Sequence, residues 1–256
     1  MDAAGGDLVL RLKRDGRSRS RRGYDRLAPM YQTIERLAFG GQLQRGRAAL
    51  VGDLPKWDQL LLMGDGDGRL LERLCAHARY AVDARCAVDE RGTVDGEAKP
   101  VGSLHAGCIT SVDQSEAMLR RQRHRVEAMD AARHVDFVCA DALEWTPPRG
   151  VYDVLVLPFF LDCFRRDELE RKLPDWIAGL REGGVVYYVD FCLPEKGWQR
   201  WRARLLLWTM HQFFRLQTGL QNRRLAEVRD LFAESGLRLS KEHISGGGMI
   251  TTELWC

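Results

Sequence analysis

The chain of 256 residues lacks several features by which whole classes of protein are recognised. No apolar run approaches the ~20 residues that a membrane-spanning helix needs. The seven cysteines are odd in number and form no Cys-x-x-Cys pair, so they predict no disulfide framework. Residues 1–7 do not show the charged and then apolar order of a secretion signal. These absences favour a cytoplasmic protein.

Basic charge is concentrated in one short stretch of the chain. Residues 8–22 hold seven bases and one acid, a balance of +6, and because the whole chain carries +3 the remainder carries −3. A basic arm can bind nucleic acid or an anionic membrane, whereas a stretch rich in serine, arginine and glycine is more often a solvated leader. We interpret residues 1–23 as a basic, mobile leader. The rest of the sequence has no basic groove, so we expect no nucleic-acid partner.

Apolar strands alternate with helical segments from residue 24 onwards. Strands are predicted over 57–63, 108–112, 135–139, 152–157, 185–191, 237–244 and 249–255, and helices over 24–39, 42–51, 69–80, 116–129, 166–180, 198–216 and 222–234. Such alternation implies a parallel sheet with helices on both faces. Residues 81–107 have no helical period and are interpreted as an irregular insertion. We therefore predict a single α/β domain over residues 24–256.

Three glycines at alternate positions end the first strand, at Gly64, Gly66 and Gly68. Glycine has no Cβ, so a ligand can approach this backbone closely. The carboxylates of Asp65 and Asp67 stand between the glycines and would repel a phosphate, and the third glycine comes one position too early for a dinucleotide loop. An acidic glycine loop suits a cationic ligand, such as the sulfonium and amine of S-adenosylmethionine.

Metal binding is not expected from this sequence. A calcium loop would need an oxygen ligand where Arg69 stands. Cys86, His105 and Cys108 lie near one another in the chain, but their spacing matches no recognised pair of zinc ligands.

Six segments follow one another in an order that carries a resemblance. They are Tyr24-Asp-Arg-Leu-Ala-Pro-Met-Tyr31, Gly64-Asp-Gly-Asp-Gly68, Val112-Asp-Gln-Ser-Glu-Ala-Met118, Cys139-Ala-Asp-Ala142, Tyr152-Asp-Val-Leu-Val-Leu-Pro-Phe-Phe160 and Leu180-Arg-Glu-Gly-Gly184. Their order resembles the class I S-adenosylmethionine-dependent methyltransferases, and within them the ubiquinone/menaquinone-type small-molecule branch. The resemblance implies a doubly wound, mostly parallel seven-stranded Rossmann-like sheet with N-terminal helices and a helical lid.

The resemblance also implies a set of cofactor contacts. They comprise Tyr24 and Tyr31 on a capping helix, Gly64, Asp65, Gly66 and Gly68 in the glycine loop, Asp113 at the ribose with Gln114, Ser115 and Met118 after it, Asp141 at the adenine amine with Ala142, and Pro158 and Phe159 near the methyl group. The acid that usually precedes the first glycine is replaced by Leu62, so the contact to the methionine amine passes to Asp65 or to water.

Two of these carboxylates also have a purely structural interpretation. Asp113 would cap the following helix, and Asp141 begins a sequence typical of a capping box. The glycine loop upstream and Asp141 downstream favour ligand binding by Asp113.

Methyl transfer requires a nucleophile held in line with the methyl group in a site that excludes water. A base is needed only if the acceptor arrives protonated, and the candidates for a catalytic group are His211, Tyr31 and Asp162. For His211 the structural alternative is a place on the face of an ordinary helix.

Residues 198–220 combine tryptophans at helical spacing with arginines and are interpreted as a lid over the acceptor. Ordinary packing and contact with a membrane surface remain open for this helix. The predicted function is methyl transfer to a small, apolar or aromatic acceptor. The alternatives are a membrane-associated quinone or lipid methyltransferase and a non-catalytic S-adenosylmethionine-binding protein. The acceptor atom and the oligomeric state are not determined by the sequence.

Overall fold

The structure is a computed structural model that describes residues 40–78, 107–129, 131, 134–194, 201 and 228–256. The predicted leader (1–23), the helix over 24–39, all but the last residue of the 81–107 insertion and most of the 198–220 lid lie outside the described residues.

Seven strands form one sheet. They are β1 Gln59–Met63, β2 Cys108–Asp113, β3 Val135–Cys139, β4 Tyr152–Pro158, β5 Leu180–Phe191, β6 Leu239–Ser245 and β7 Ile250–Trp255. Their order across the sheet is β3-β2-β1-β4-β5-β7-β6. The first five strands pair in parallel, and β7 runs antiparallel to both β5 and β6. The doubly wound, mostly parallel seven-stranded sheet is therefore confirmed.

Helices precede β1 and separate several of the later strands along the chain. They are α1 Gln42–Ala48, α2 over the described residues 69–78, α3 Glu116–Glu127, α4 Arg166–Ile177 and α5 Arg229–Glu234, with short 3-10 turns at Val51–Asp53 and Leu161–Cys163. The predicted helices and strands that fall on described residues are present, most of them with ends displaced by one to three residues.

One predicted boundary is wrong by more than that. The strand expected at 185–191 begins at Leu180, and Gly183 and Gly184, predicted as a turn, lie inside β5. Leu180 pairs with Tyr152 and Val185 pairs with Val154, so the residues between them bulge out of the ladder. A bulge of this kind keeps the strand continuous across a glycine with positive φ, which Gly183 adopts at +74°.

The central strand β1 is closed on both faces. Leu60, Leu61 and Leu62 are fully buried; Leu60 and Leu62 pack in one apolar cluster, and Leu61 and Met63 pack in the other. Burial on both faces is expected of a parallel strand covered by helices. Ligands can therefore reach this sheet only at the ends of its strands, where the glycine loop begins.

Candidate active site

The glycine loop, residues 64–68, joins β1 to α2 at the carboxyl end of the sheet. Its three glycines adopt left-handed φ values of +72° (Gly64), +62° (Gly66) and +87° (Gly68). Residues with a Cβ adopt this conformation only with strain, which explains the alternate glycines. The loop is tied to the neighbouring strand, because the backbone N–H of Gly64 donates to the carbonyl of Val112 at 2.9 Å.

The carboxylate of Asp65 is used by the protein itself. It accepts hydrogen bonds from the backbone N–H groups of Leu70 (3.1 Å) and Leu71 (2.8 Å) in the first turn of α2. These amides have no partner within the helix, so Asp65 caps it. Burial outweighs these bonds and raises the pKa of Asp65 to about 7. The predicted contact of Asp65 with the methionine amine stays a prediction, and it would have to share the carboxylate with α2.

Asp67 is buried between two arginines. Its Oδ1 accepts from Arg69 Nε at 2.9 Å, and its Oδ2 accepts from Arg125 Nη2 at 3.2 Å. The Asp67 side chain is 2% exposed, and burial raises its pKa although Arg125 acts to lower it. The sequence argument that both loop carboxylates would suit a cationic ligand therefore does not hold for Asp67. The charge of Asp67 is balanced within the protein and is not presented to a cationic ligand.

Helix α3 fixes the loop from the other side through Gln122. This fully buried side chain donates from Nε2 to the carbonyl of Gly66 at 2.9 Å and accepts from Ser111 Oγ at 2.6 Å. Arg125, one turn later, donates from Nε to the carbonyl of Asp67 at 2.7 Å. The sequence analysis missed both residues. A glutamine among the apolar positions Met118, Leu119 and Val126 of one helix face was the signal that could have found Gln122.

Asp113 is the last residue of β2, and its side chain is half-buried at the strand end. Its Oδ1 accepts from the backbone N–H of Ser115 at 2.9 Å. The cap of α3 is Ser115, whose fully buried Oγ accepts from the N–H of Met118 at 3.2 Å. The helix-capping interpretation of Asp113 is therefore wrong. Asp113 directly follows Val112, whose carbonyl accepts from the N–H of Gly64 in the glycine loop. Gln114, which lies between Asp113 and Ser115 in the chain, is half-buried.

Asp141 lies two residues beyond the end of β3. Its Oδ1 accepts from the N–H of Leu143 at 2.9 Å, and its carbonyl accepts from the N–H groups of Glu144 and Trp145. These bonds form a turn over residues 142–144, not a helix, so the capping-box interpretation is wrong. Ala142 is buried and its carbonyl accepts from Trp176 Nε1 at 3.2 Å. The half-buried side chain of Asp141 follows the strand next to the one that ends at Asp113.

Backbone strain marks the end of β4. Phe159, directly after Pro158, has φ +50° and is the one non-glycine residue with positive φ among those the structure describes. A bulky residue in this region is a conformational outlier, and such outliers concentrate at functional sites. The ring of Phe159 packs on Phe191 with centroids 4.7 Å apart, and the guanidinium of the buried Arg47 lies 5.0 Å from its centroid. Nothing in the sequence pattern indicated Arg47.

A cluster of aromatic side chains lies next to the end of β4. Phe160 packs against Phe164 and Trp176 with centroids 4.9 and 5.6 Å away, and its ring also lies against Gly64. Asp162 follows in the 3-10 turn with a half-buried side chain, and burial raises its pKa to about 7. The other predicted site residues, Tyr24, Tyr31 and His211, lie outside the described residues.

Neither a metal site nor a membrane span is found in the described part of the chain. No group of three or more His, Cys, Asp or Glu side chains there is arranged to hold an ion. None of the described helices combines the length and hydropathy needed to cross a bilayer.

Part of the chain is similar in sequence to known methyltransferases and to carboxy-S-adenosyl-L-methionine synthases. Residues 96–184 match a family described as "Methyltransferase domain". The chain is 26% identical over 157 residues to a carboxy-S-adenosyl-L-methionine synthase of Escherichia coli, an alignment that covers 59% of this chain and 61% of the relative. A synthase of the same name from Yersinia enterocolitica is 27% identical over 155 residues, with 58% and 56% covered. The chain thus matches about three-fifths of the length of these relatives.

Solved structures agree on the fold. A SAM-dependent methyltransferase from Leishmania major superposes with a TM-score of 0.60 at 12% identity over 94% of this chain and 83% of that one. An O-methyltransferase family 2 protein from Planctomyces limnophilus, solved with apigenin, gives 0.60 at 15% identity with 89% and 61% covered. Together, the family match, the sequence relatives and the fold support a class I S-adenosylmethionine-dependent methyltransferase. The predicted fold is confirmed. The matches support the predicted family and its cofactor, while the ubiquinone/menaquinone-type branch stays a prediction.

In doubly wound sheets ligands lie outside the carboxyl ends of the strands, so this edge is the place to test for a cofactor site. The donor set fits: half-buried carboxylates lie at the carboxyl ends of β2 and β3, and a loop with three glycines follows β1. The family match begins after the glycine loop, at residue 96. The assignment of that loop therefore depends on its geometry, which the structure supplies.

Proposed function

We propose that this chain binds S-adenosylmethionine along the carboxyl edge of its sheet and transfers the methyl group to a small, apolar or aromatic acceptor. The observation that carries the proposal is a row of groups on adjacent strands. Asp141 follows β3, Asp113 ends β2, the glycine loop follows β1 and Phe159 follows β4. In doubly wound sheets, ligands lie outside this edge.

The order of the row matches the order of the parts of S-adenosylmethionine. Asp141 would accept from the adenine amine, Asp113 from the two ribose hydroxyls, and the glycine loop would lie under the methionine. A carboxylate that accepts from two hydroxyls makes a charge-assisted pair, which is stronger than neutral hydrogen bonds. Adjacent strands are ~4.8 Å apart, so four strand ends span about 14 Å, which suits an extended nucleoside joined to an amino acid.

The remaining predicted contacts complete the proposal. Gln114, Ser115, Met118, Ala142 and Pro158 would border the cofactor through their backbone or their packing, with Tyr24 and Tyr31 above it. Asp65 would reach the methionine amine directly or through water. The fully buried Leu62 packs in the core and takes no part in this contact.

The acceptor class rests on the aromatic side chains at the end of β4. Phe159 is half-buried and its ring packs on Phe191. The next residue, Phe160, belongs to a cluster of rings with Phe164 and Trp176. Flat apolar rings pack well on such side chains. Two solved relatives in fold were crystallised with flat aromatic molecules, apigenin in one and 1,4-dihydroxy-2-naphthoic acid in the other. His211 and Tyr31 stay proposed catalytic groups, and residues 198–220 a proposed lid.

Three measurements test this function. Mass spectrometry of the purified chain identifies any co-purifying nucleoside, and S-adenosylmethionine or S-adenosylhomocysteine is expected. The chain is then incubated with methyl-labelled S-adenosylmethionine and a phenolic panel, defined here as apigenin, 1,4-dihydroxy-2-naphthoic acid and a short-chain quinol. Transfer of label to a panel member supports the proposal. Absence of any binding by calorimetry would overturn it.

Other outcomes separate the alternatives. Binding of S-adenosylmethionine with no loss of its methyl group to any acceptor would favour a non-catalytic binding protein. Sedimentation with anionic liposomes that depends on residues 1–23 would favour the membrane-associated alternative. A bound carboxy-S-adenosylmethionine would place the chain with the synthases that it resembles in sequence.

A further inference from the structure

The strained residue after β4 changes the side of the sheet on which two aromatic rings lie. Along β4 the side chains alternate between the two apolar clusters that cover the faces of the sheet, with Val156 in one cluster and Leu157 in the other. An extended backbone would continue this alternation and place Phe159 with Leu157. Phe159 packs instead in the cluster of Val156, and Phe160 packs in the cluster of Leu157. The φ of +50° at Phe159 thus exchanges the faces that the two rings occupy.

Two contacts hold the ring of Phe159 in this position. It packs on Phe191 with the rings tilted by 45° and centroids 4.7 Å apart, and Cζ of Arg47 lies 5.0 Å from its centroid. Arg47 is only 4% exposed, and a cation over an aromatic ring attracts it more strongly when both are removed from water. A strained backbone persists only where its surroundings hold it. We therefore attribute the conformation of Phe159 in part to Arg47.

Arg47 also acts on the glycine loop. Its charge lowers the pKa of both Asp65 and Asp67, against the larger effect of their burial. The backbone of Arg47 is tied to the sheet, because its carbonyl accepts from the hydroxyl of Tyr187 at 2.7 Å. One side chain of α1 is therefore coupled electrostatically to the proposed cofactor loop and is in contact with the ring after β4.

The ring of Phe159 lies where it can affect the fit of an acceptor. Phe159 is half-buried, so part of the residue remains accessible. It follows β4, which pairs in parallel with β1, the strand that leads into the glycine loop. Aromatic rings contribute large contact areas with preferred geometries. A flat acceptor at this edge would consequently be sensitive to where the ring of Phe159 points.

We propose that Phe159 is a specificity-determining residue for the acceptor and that Arg47 is a positioning residue that holds the Phe159 ring in place. This rests on the proposed function and deepens it, because it assigns the preference for flat aromatic acceptors to one ring. Arg47 does not contact the acceptor in this scheme. It acts through Phe159, as does Phe191.

NMR of the full chain tests the positioning without any ligand. With protonated phenylalanine rings in a deuterated chain, a cross-peak between Phe159 and Phe191 is expected. A second cross-peak, between Phe160 and Phe164 with centroids 4.9 Å apart, is the internal reference. Arg47→Met should weaken or remove the first cross-peak and leave the second. Arg47→Lys keeps a cation and should restore the first.

Another arginine of the chain provides the matched control. Cζ of Arg123 lies 5.1 Å from the ring centroid of Phe137 in β3, so the two arginine–ring distances are nearly equal. Arg123→Met removes that contact on a different strand. It should leave the cross-peak between Phe159 and Phe191 and the acceptor KM unchanged.

Kinetics with the phenolic panel test the specificity. Phe159→Leu should raise KM for 1,4-dihydroxy-2-naphthoic acid roughly tenfold, and for the short-chain quinol by less, because the larger ring system loses more contact area. The change in kcat should be smaller than the change in KM. Arg47→Met should give the same pattern, and Arg47→Lys should return it towards the wild type. Phe191→Leu leaves every charge in place and should also raise KM for the naphthoic acid.

Each half of the proposal has an outcome that would overturn it. A full cross-peak between Phe159 and Phe191 in Arg47→Met would remove the positioning role, and so would an unchanged KM in Phe191→Leu if Arg47→Met does not fold. An unchanged ratio of the two KM values in Phe159→Leu would remove the specificity role. If no panel member is methylated, the specificity role fails together with the proposed acceptor class. The cross-peaks are read in the chain without ligand, so failure of the positioning is a distinct result.

Discussion

The ring of Phe160 occupies the space that a side chain on Gly64 would need. A Cβ built on Gly64 would lie 2.2 Å from Cδ2 of Phe160, far inside van der Waals contact. The aromatic segment after β4 thus rests directly on the glycine loop after β1. The two halves of the proposed site, one for the cofactor and one for the acceptor, share this contact.

Gly64→Ala should disrupt the site more than its backbone conformation alone explains. Gly150 provides the comparison, because its φ of +66° is similar but a Cβ there meets nothing within 4 Å. Gly150→Ala should cost about 1–2 kcal/mol of unfolding free energy from strain alone. Gly64→Ala should cost more and abolish S-adenosylhomocysteine binding in calorimetry. Equal costs for the two variants, with binding retained, would show that the Phe160 contact is easily relieved.

Asp113→Asn should weaken cofactor binding without unfolding the chain. Asparagine keeps the oxygen that accepts from the N–H of Ser115 but removes the charge proposed to bind the ribose hydroxyls. Loss of a charge-assisted pair is worth about 1.5–3 kcal/mol, or roughly tenfold to a hundredfold in Kd. Calorimetry with S-adenosylhomocysteine measures this. Asp136→Asn, at an exposed position of β3, is the control, and a Kd that moves equally in both variants would contradict the assignment.

Asp67→Asn should destabilise the fold. It leaves Arg69 and Arg125 without the buried carboxylate that both now bind, and the expected loss is about 2–4 kcal/mol in urea unfolding. Asp175→Asn breaks a more exposed pair with Lys172 and should cost less than about 1 kcal/mol. If Asp67→Asn proves as mild as this control, the two arginines must have found other partners or water.

Asp65→Asn should flatten the pH dependence of stability. Burial raises the pKa of Asp65 from 3.8 to about 7, so the folded chain retains a proton that the unfolded chain has lost. The stability from this group is complete below pH 3.8 and is lost as the pH rises through 7. Asparagine can still accept from the N–H groups of Leu70 and Leu71 but does not titrate. The unfolding free energy of the variant should therefore fall less between pH 4 and 7, by up to about 1.4 kcal/mol per pH unit. Parallel curves for variant and wild type would count against a raised pKa.

Much of the fold could be predicted from the chain because its local signals agree with one another. The run at Leu60–Met63 is buried on both faces, and the strand at Val135–Cys139 has the predicted ends. The insertion of Gly183 and Gly184 into β5 could not be predicted, because glycines mark turns and bulges equally well. Only the pairing with β4 decides between the two.

The site was predictable in position but not in the direction of its side chains. Asp113 and Asp141 lie at strand ends, as the sequence indicates. The direction of a carboxylate depends on long-range partners, and Asp67 faces Arg125, which is 58 residues away. Arg47 was overlooked for the same reason.

The two hydrogen bonds of the Gln122 side chain affect the rate and the entropy with which a ligand binds. Gln122 links Ser111 in β2 with Gly66 in the glycine loop, so the loop keeps its shape before any ligand arrives. The entropy lost in ordering a loop of three glycines is then part of folding and no longer opposes association. Gln122→Leu should transfer that cost back to binding, seen as a less favourable association entropy and a slower on-rate.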